Sequence, residues 1–213
     1  QLTASGDAGG PPDAFALDSQ NLAFFSIHEN RYVLYYRTWK EIAGTKYRWV
    51  SRATSDDFLH WTPEGPIDYG AAPPEHLYTN QTSPYFRAPH IYTAICARFF
   101  PGRQVLTEAQ AREVHVDPQY FKDCSDAVLI TSRGGTKFSR TFLEAFLRPG
   151  LGLQNWVSRS NYPTLNVVNG ETWLYAFTHG RGAWRVKLNN SGCNYAIAPA
   201  TVNVSVAGQS GTI

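Results

Sequence analysis

Residues 31–63, RYVLYYRTWKEIAGTKYRWVSRATSDDFLHWTP, decide the fold class that this sequence predicts. Two runs, at residues 32–37 and 47–54, are rich in Tyr, Val, Trp and Thr, which suit a half-buried strand. A polar loop that contains Gly is predicted between them. The turn at residues 55–57 can close through bonds from Asp side chains to the backbone. Trp61 belongs to a third run, so the stretch predicts a small antiparallel sheet.

The same pattern returns in residues 126–140, DAVLITSRGGTKFSR, of which residues 126–139 align without a gap to residues 49–62. Both copies contain a Thr-Ser pair, a turn and a later aromatic residue: Thr54-Ser55 with Thr131-Ser132, and Trp61 with Phe138. A third, weaker copy is predicted at residues 172–179 and 183–188. The copies are spaced more widely than common propeller repeats, so inserted loops are expected between strands.

A repeated antiparallel sheet with an aromatic residue after each turn favours a β-propeller. A β-sandwich has similar turn spacing and is the alternative, but it does not require the matched unit. We therefore expect an all-β propeller of four-stranded antiparallel blades over residues 15–188. Residues 1–14 are predicted to form an irregular arm, and 189–213 a C-terminal segment of uncertain structure. One short helix, capped by Thr107, is predicted as an insertion.

Composition limits the classes of partner. The chain has 213 residues and a formal net charge of +2, which gives no electrostatic case for nucleic acid or an acidic membrane surface. No apolar run is long enough to span a bilayer. The chain begins at Gln1 and contains no Met, which predicts a processed or truncated chain.

The spacing of the cysteines does not match that of a zinc site, and no cofactor is expected. A structural Ca²⁺ held by loop carboxylates is left as an open possibility. Cys96 lies in an apolar run and is predicted to be a buried thiol. Cys124 precedes a strand, and a bridge from it to Cys96 or Cys193 is left open.

Six segments carry a resemblance to a known group of proteins. They are DSQN (18–21), YRTW (36–39), SRATSDDFLHW (51–61), YTNQTSPYFRAPH (78–90), SDAVLITSRGG (125–135) and FLRPGLGLQNWVSRSNYP (146–163). They resemble bacterial, planctomycete-type proteins described as glycoside-hydrolase-like five-bladed β-propellers. That group is similar to the arabinanase, xylosidase and invertase clans.

The resemblance implies a secreted glycoside hydrolase, extracellular or periplasmic, that cleaves plant or algal oligosaccharides or polysaccharides. Carbohydrate is then the expected ligand. A complete five-bladed propeller needs more chain than this, so the resemblance also implies missing blades, which another chain could supply. The segment after His179 departs from the pattern of the group.

Glycoside hydrolysis needs one carboxylate as base or nucleophile and one as acid, often with a third that orients the acid or the sugar. Asp18 and Asp126, each ahead of or within a strand, are the candidates for base and orienting group. Glu144 or Glu75 is the candidate acid. Apolar neighbours of Glu144 would favour the protonated form that an acid needs. The structural alternatives are a turn residue for Asp18, an ion-paired strand residue for Asp126, and solvated loop residues for Glu75 and Glu144.

Substrate-binding candidates are arginines near aromatic residues, aromatic residues able to stack on a sugar, and one amide in a long connection: Arg37, Arg52, Arg87, Arg159, Trp39, Tyr78, Trp156 and Asn80. A planar guanidinium can hold a sugar hydroxyl or a uronate carboxylate. The alternative roles are ion pairs between blades for the arginines and core packing for the aromatic residues.

A second class of function stays open, namely a non-catalytic propeller that binds carbohydrate or forms part of an extracellular assembly. Carboxylates that converge on one pocket would favour the hydrolase, and carboxylates dispersed on the rim would favour the binding module. No motif of a protease or a redox enzyme is present in the sequence.

Overall fold

The computed structural model describes residue 17, residues 19–158 and residues 161–163, together with the backbone of strands within residues 164–212. The protein is all-β, is built from antiparallel sheets and has almost no helix, as the sequence predicts. The predicted N-terminal arm, residues 1–14, lies outside the described residues. Within the described part, no helix is long and apolar enough to cross a membrane.

The first sheet follows the order of the chain. Its four strands, β1 to β4, are Leu22–Ser26, Arg31–Ile42, Thr45–Ser55 and Thr62–Pro66. The β2–β3 hairpin pairs without interruption from Tyr32 opposite Ser55 to Ile42 opposite Thr45. The predicted polar loop between these strands is therefore wrong. Its residues extend both strands, and only Ala43 and Gly44, each with positive φ, form the turn.

The second sheet has the order β5-β7-β8-β9, and β6 also pairs with β7. These strands are His76–Leu77, Ser83–Tyr85, Ala88–Phe100, Cys124–Ser132 and Phe138–Ser139 for β5 to β9. Helix α1, Glu108–Glu113, lies in the connection from β7 to β8. Thr107 caps α1, and its hydroxyl accepts a bond from the N–H of Gln110. The predicted helix and its cap are confirmed.

A third sheet has four strands in chain order, and a separate pair of strands follows it. The sheet contains β10 to β13, and the pair contains β14 and β15: Pro163–Leu165, Trp173–Thr178, Gly182–Lys187, Ile197–Ala200, Asn203–Val206 and Gln209–Thr212. The strands β11 and β12 coincide with the two runs of the third predicted copy. The C-terminal segment, residues 189–213, for which the sequence predicts no definite structure, contains three of these strands, β13 to β15.

The matched turns of the first two sheets have the same chemistry. The hydroxyl of Ser55 accepts a hydrogen bond from the N–H of Asp57, and the hydroxyl of Ser132 accepts one from the N–H of Gly134. Each serine ends a long strand, so one local device terminates both strands. Gly134 has φ +99°, a conformation that L side chains rarely adopt.

The main core lies between the first and second sheets. It contains buried residues from both sheets and from the connection between them: Val33, Tyr35, Trp49, Val50, Ile67, Tyr69, Leu77, Tyr92, Ala94, Cys96, Val128, Ile130 and Phe138. The Nε1–H of Trp49 donates to the carbonyl of Ile67 at 2.8 Å, so its one polar group is satisfied. The two sheets therefore pack face to face over one shared core.

We expect Ile130→Ala to lower the free energy of unfolding by about 2–5 kcal/mol, because it removes buried methyl groups between two packed sheets. Urea denaturation measures the change. Leu59→Ala, at a side chain that is 65% exposed, is the control and should cost less than about 0.5 kcal/mol. Equal losses in the two variants would contradict a core shared between the sheets.

The turn at Asp57 makes the free energy of unfolding depend on pH. The side chain of His60 bonds to the Asp57 carboxylate, and the N–H groups of His60 and Leu59 donate to it, so together they hold the pKa of Asp57 below its ordinary value. A lowered pKa in the folded state stabilises the fold above the unfolded pKa, about 3.9, and that contribution is lost as pH falls.

We therefore expect Asp57→Asn to flatten the decrease in unfolding free energy between about pH 5 and pH 2, because the amide cannot titrate. Chemical denaturation at a series of pH values measures the slope. Asp56→Asn removes the same charge from a neighbouring exposed side chain that makes none of these bonds, and is the control. An unchanged slope for Asp57→Asn would show that the carboxylate bonds do not stabilise the fold.

Candidate functional site

A cavity of about 240 Å³ lies between the ends of β7 and β8 and the segment that follows β9. Its lining includes Asp126 and Cys124 from β8, and Glu144 and Trp156 from that segment. Two predicted catalytic carboxylates and one predicted stacking residue therefore line the same cavity. Three arginines also line it: Arg98, Arg103 and Arg148.

Asp126 is held by Arg98. The two residues lie directly opposite each other in the β7–β8 ladder. Nε of Arg98 donates to Oδ1 of Asp126 at 2.8 Å, and Nη2 donates to Oδ2 at 2.7 Å. This paired geometry is the strongest arrangement that Arg and a carboxylate can adopt. Because both residues are largely buried, each charge requires the other.

Glu75 belongs to the same network. Nη1 of Arg98 donates to Oε1 of Glu75 at 2.6 Å, and Nη2 of Arg140 donates to Oε2 at 2.8 Å. All four oxygens of Asp126 and Glu75 thus accept bonds from guanidinium groups. Burial by itself lowers the pKa of Arg98, but Asp126 and Glu75 outweigh burial and raise that pKa above its ordinary value.

The two arginines also fix the wall of the cavity. Nη1 of Arg98 donates to the carbonyl of Leu143 at 3.0 Å, and Nη2 of Arg140 donates to the same carbonyl at 3.2 Å. Arg140 also donates to the carbonyl of Phe142. These bonds hold the backbone immediately before Glu144, so the network positions the segment that carries this carboxylate.

Glu144 does not occupy the apolar setting that the sequence predicts. Its side chain is 81% exposed and accepts a bond from Nη2 of Arg148 at 2.5 Å. The neighbours Phe142 and Leu143 are themselves exposed, so they do not surround the carboxylate. The predicted benefit of an apolar environment therefore does not apply, although Glu144 still faces the cavity.

A bond to the backbone holds Trp156 in the lining of the cavity. Nε1 of Trp156 donates to the carbonyl of Gly150 at 2.9 Å, which fixes the indole against the cavity.

Cys96 and Cys124 are both buried free thiols, as predicted for Cys96. Burial raises the pKa of Cys96 to about 12 and also raises the pKa of Cys124, so neither thiol is a reactive thiolate. Cys193 lies outside the described residues.

Three predicted binding residues come together with Arg48 at the β2–β3 hairpin, and we call these four residues the arginine–aromatic cluster: Arg37, Trp39, Arg48 and Tyr78. The guanidinium carbons of Arg37 and Arg48 lie 4.7 and 5.1 Å from the centroid of Trp39. The same two carbons lie 5.3 and 4.9 Å from the centroid of Tyr78. Such distances are typical of cation–π contacts.

Two predicted binding residues are buried. Arg52 is 1% exposed and forms ion pairs with Glu29 and Glu64, so it has the structural role that was the alternative. Asn80 is 2% exposed, and its amide bonds within the protein to Tyr35 and Thr82. Burial therefore keeps both from direct contact with a ligand.

Arg87 is exposed in the turn between β6 and β7, over the ring of Phe86. Asp18 and Arg159 lie outside the described residues, so their predicted roles stay predictions. Sequence reasoning missed Arg98, Arg140 and Arg48. A usable signal existed for Arg98, because opposite charges facing each other in adjacent strands indicate a pair once the register is known.

Within residues 19–158, no three His, Cys, Asp or Glu side chains are grouped so that they could hold a metal ion. Comparison with family models, with curated proteins and with solved structures gave no match to this chain.

We expect Arg98→Met to lower the free energy of unfolding by about 3–5 kcal/mol, because it leaves the buried Asp126 carboxylate uncompensated. Adding Asp126→Leu should restore part of the loss, since the unpaired charge is then removed. Denaturant titration measures both variants. Arg112→Gln, which breaks the exposed pair with Glu108, is the control and should change stability by less than about 1 kcal/mol. A double variant no more stable than Arg98→Met would contradict the dependence of Asp126 on Arg98.

Proposed function

We propose that this protein is a secreted, carbohydrate-active protein that hydrolyses glycosidic bonds of plant or algal oligosaccharides or polysaccharides, outside the cell or in the periplasm. The observation that carries the proposal is the shared cavity of Asp126, Glu144 and Trp156. Two carboxylates and a flat aromatic ring around one space are what acid-assisted cleavage of a sugar chain requires.

The geometry supports different roles for the carboxylates. Glu144 is the proposed general acid because it lines the cavity and its one ion pair among the described residues is the exposed pair with Arg148. That pair would have to open before the Glu144 carboxyl group carried a proton to the substrate. Asp126 fits an orienting group and not a base, because Arg98 occupies both of its oxygens. Glu75 does not fit the acid, because Arg98 and Arg140 occupy its oxygens. Asp18 remains the proposed base and lies outside the described residues.

The cavity fits one unit of a longer ligand. Its volume of about 240 Å³ lies below the roughly 300–1,000 Å³ of typical small-molecule sites. The proposed substrate would therefore extend beyond the cavity, with one ring against Trp156. Proton donation from Glu144 to the leaving oxygen would assist departure of the neighbouring unit.

The proposed scaffold is a β-propeller. The first and third sheets each have four antiparallel strands in chain order, which is the form of a blade. The first and second sheets pack face to face, as neighbouring blades do. The proposal includes further blades from another chain, because these sheets alone do not make five blades.

A non-catalytic carbohydrate-binding module is the second candidate. One observation favours it: arginines occupy every oxygen of two of the four predicted catalytic carboxylates. Such a network fixes a binding surface and leaves no free base among these two groups.

We expect Glu144→Gln to lower hydrolysis of a panel of aryl glycosides and polysaccharides by about 10²–10⁴-fold, the usual contribution of general acid catalysis. Glu144 is exposed, so the folded state should be retained. Release of reducing sugar and of the aryl group measures the rates. Glu108→Gln, which removes a carboxylate from a similar exposed pair with Arg112, is the matched control.

Aryl glycosides with good leaving groups should lose less activity in Glu144→Gln, because they need little proton donation. Equal losses for good and poor leaving groups would contradict the acid role. No hydrolysis of any substrate, together with retained binding of a sugar, would support the binding module.

A further inference from the structure

The arginine–aromatic cluster lies on one face of the β2–β3 hairpin. Trp39 and Arg48 are directly opposite in the ladder, and Arg37 is two residues before Trp39, so all three project to the same side. Tyr78, which follows β5, covers this face. Phe99 of β7 also packs there, with its centroid 4.5 Å from the guanidinium carbon of Arg48.

Arg48 differs from three buried arginines of the described residues. Arg52, Arg98 and Arg140 each bond to at least one carboxylate. Arg48 forms no ion pair within the described part of the chain, and its guanidinium lies over the rings of Trp39, Tyr78 and Phe99. The nearby carboxylate of Asp123 accepts a bond from the N–H of Gly102 instead.

Two donors in the cluster also have no acceptor. Nε of Arg48 and Nε1 of Trp39 are both buried without a hydrogen-bond partner among the described residues. Burial first, and then the charge of Arg37, lower the pKa of Arg48, so the site holds positive charge at a cost. Acceptor atoms of a negatively charged ligand could bond to the terminal guanidinium nitrogens of Arg48 and offset the repulsion.

We propose that the arginine–aromatic cluster binds an acidic sugar, through a carboxylate or sulfate group on Arg48 and a sugar ring against Trp39 or Tyr78. The inference rests on the proposed carbohydrate function and names the class of sugar. A guanidinium meets either anionic group with two parallel bonds, and an aromatic face suits the apolar side of a sugar ring. Partial exposure of Trp39, Arg48 and Tyr78 leaves the cluster accessible to a ligand.

The cluster lies close to the cavity of Asp126 and Glu144. Phe99 contacts Arg48, and the preceding residue, Arg98, holds Asp126. Successive residues of β7 therefore reach the two sites from opposite faces of the strand.

The test compares trigalacturonate with its methyl ester, which has the same chain without the charges, in titrations followed by calorimetry. We expect the acid to bind at least about 10-fold more tightly than the ester, a difference of about 1.4 kcal/mol. Arg48→Gln should remove this preference. Arg48→Lys keeps the charge without the planar fork and should restore only part of it. Arg112→Gln is the control, and circular dichroism confirms folding of each variant.

A sulfated trisaccharide in the same titration distinguishes the two anionic groups, and tighter binding of either acid with dependence on Arg48 supports the proposal. Equal binding of acid and ester overturns it and leaves the carbohydrate function intact. No binding of any sugar overturns both. Binding of a single-stranded oligothymidylate with the same dependence on Arg48 overturns the inference in favour of a nucleic-acid partner.

Discussion

The buried guanidinium groups of Arg98 and Arg140 bond to acceptors on several elements, and these bonds tie separate segments of the chain together. Arg98 of β7 contacts Asp126 of β8, Glu75 before β5 and the carbonyl of Leu143 after β9. Arg140 adds a second link between Glu75 and the same carbonyl. Ion pairing therefore holds the walls of the cavity in place. If either arginine left its partners, a buried charge would be left unpaired.

A second network of ion pairs surrounds Arg52 in the first sheet. Arg52 pairs with Glu64 of β4 and with Glu29 of the turn between β1 and β2. The hydroxyl of Tyr92 on the second sheet donates to Glu29 at 2.6 Å. The polar network thus crosses the interface that the apolar core fills. Apolar packing stabilises the contact between the two sheets, and the bond from Tyr92 to Glu29 adds a polar link across it.

Much of the fold could be predicted from local sequence, because strand propensity, serine turns and helix caps act over a few residues. The turns after Ser55 and Ser132 and the cap at Thr107 are examples. The two strands of the β2–β3 hairpin were predicted, but their full length was missed, since polar residues on exposed strand ends resemble a loop. The network of Arg98 could not be predicted, because it depends on which residues face each other across strands. Apolar neighbours also misled the prediction for Glu144, since sequence proximity does not bury a side chain.

Cys96 and Cys124 are buried thiols at different depths of the fold, so their chemical labelling reports on how the protein opens. Cys96 lies in the core between the first two sheets, and Cys124 lies at the start of β8 beside the cavity. An alkylating reagent can reach Cys96 only when the sheets separate, whereas a smaller movement beside the cavity uncovers Cys124. The relative labelling of the two thiols would therefore distinguish local breathing at the cavity from separation of the sheets.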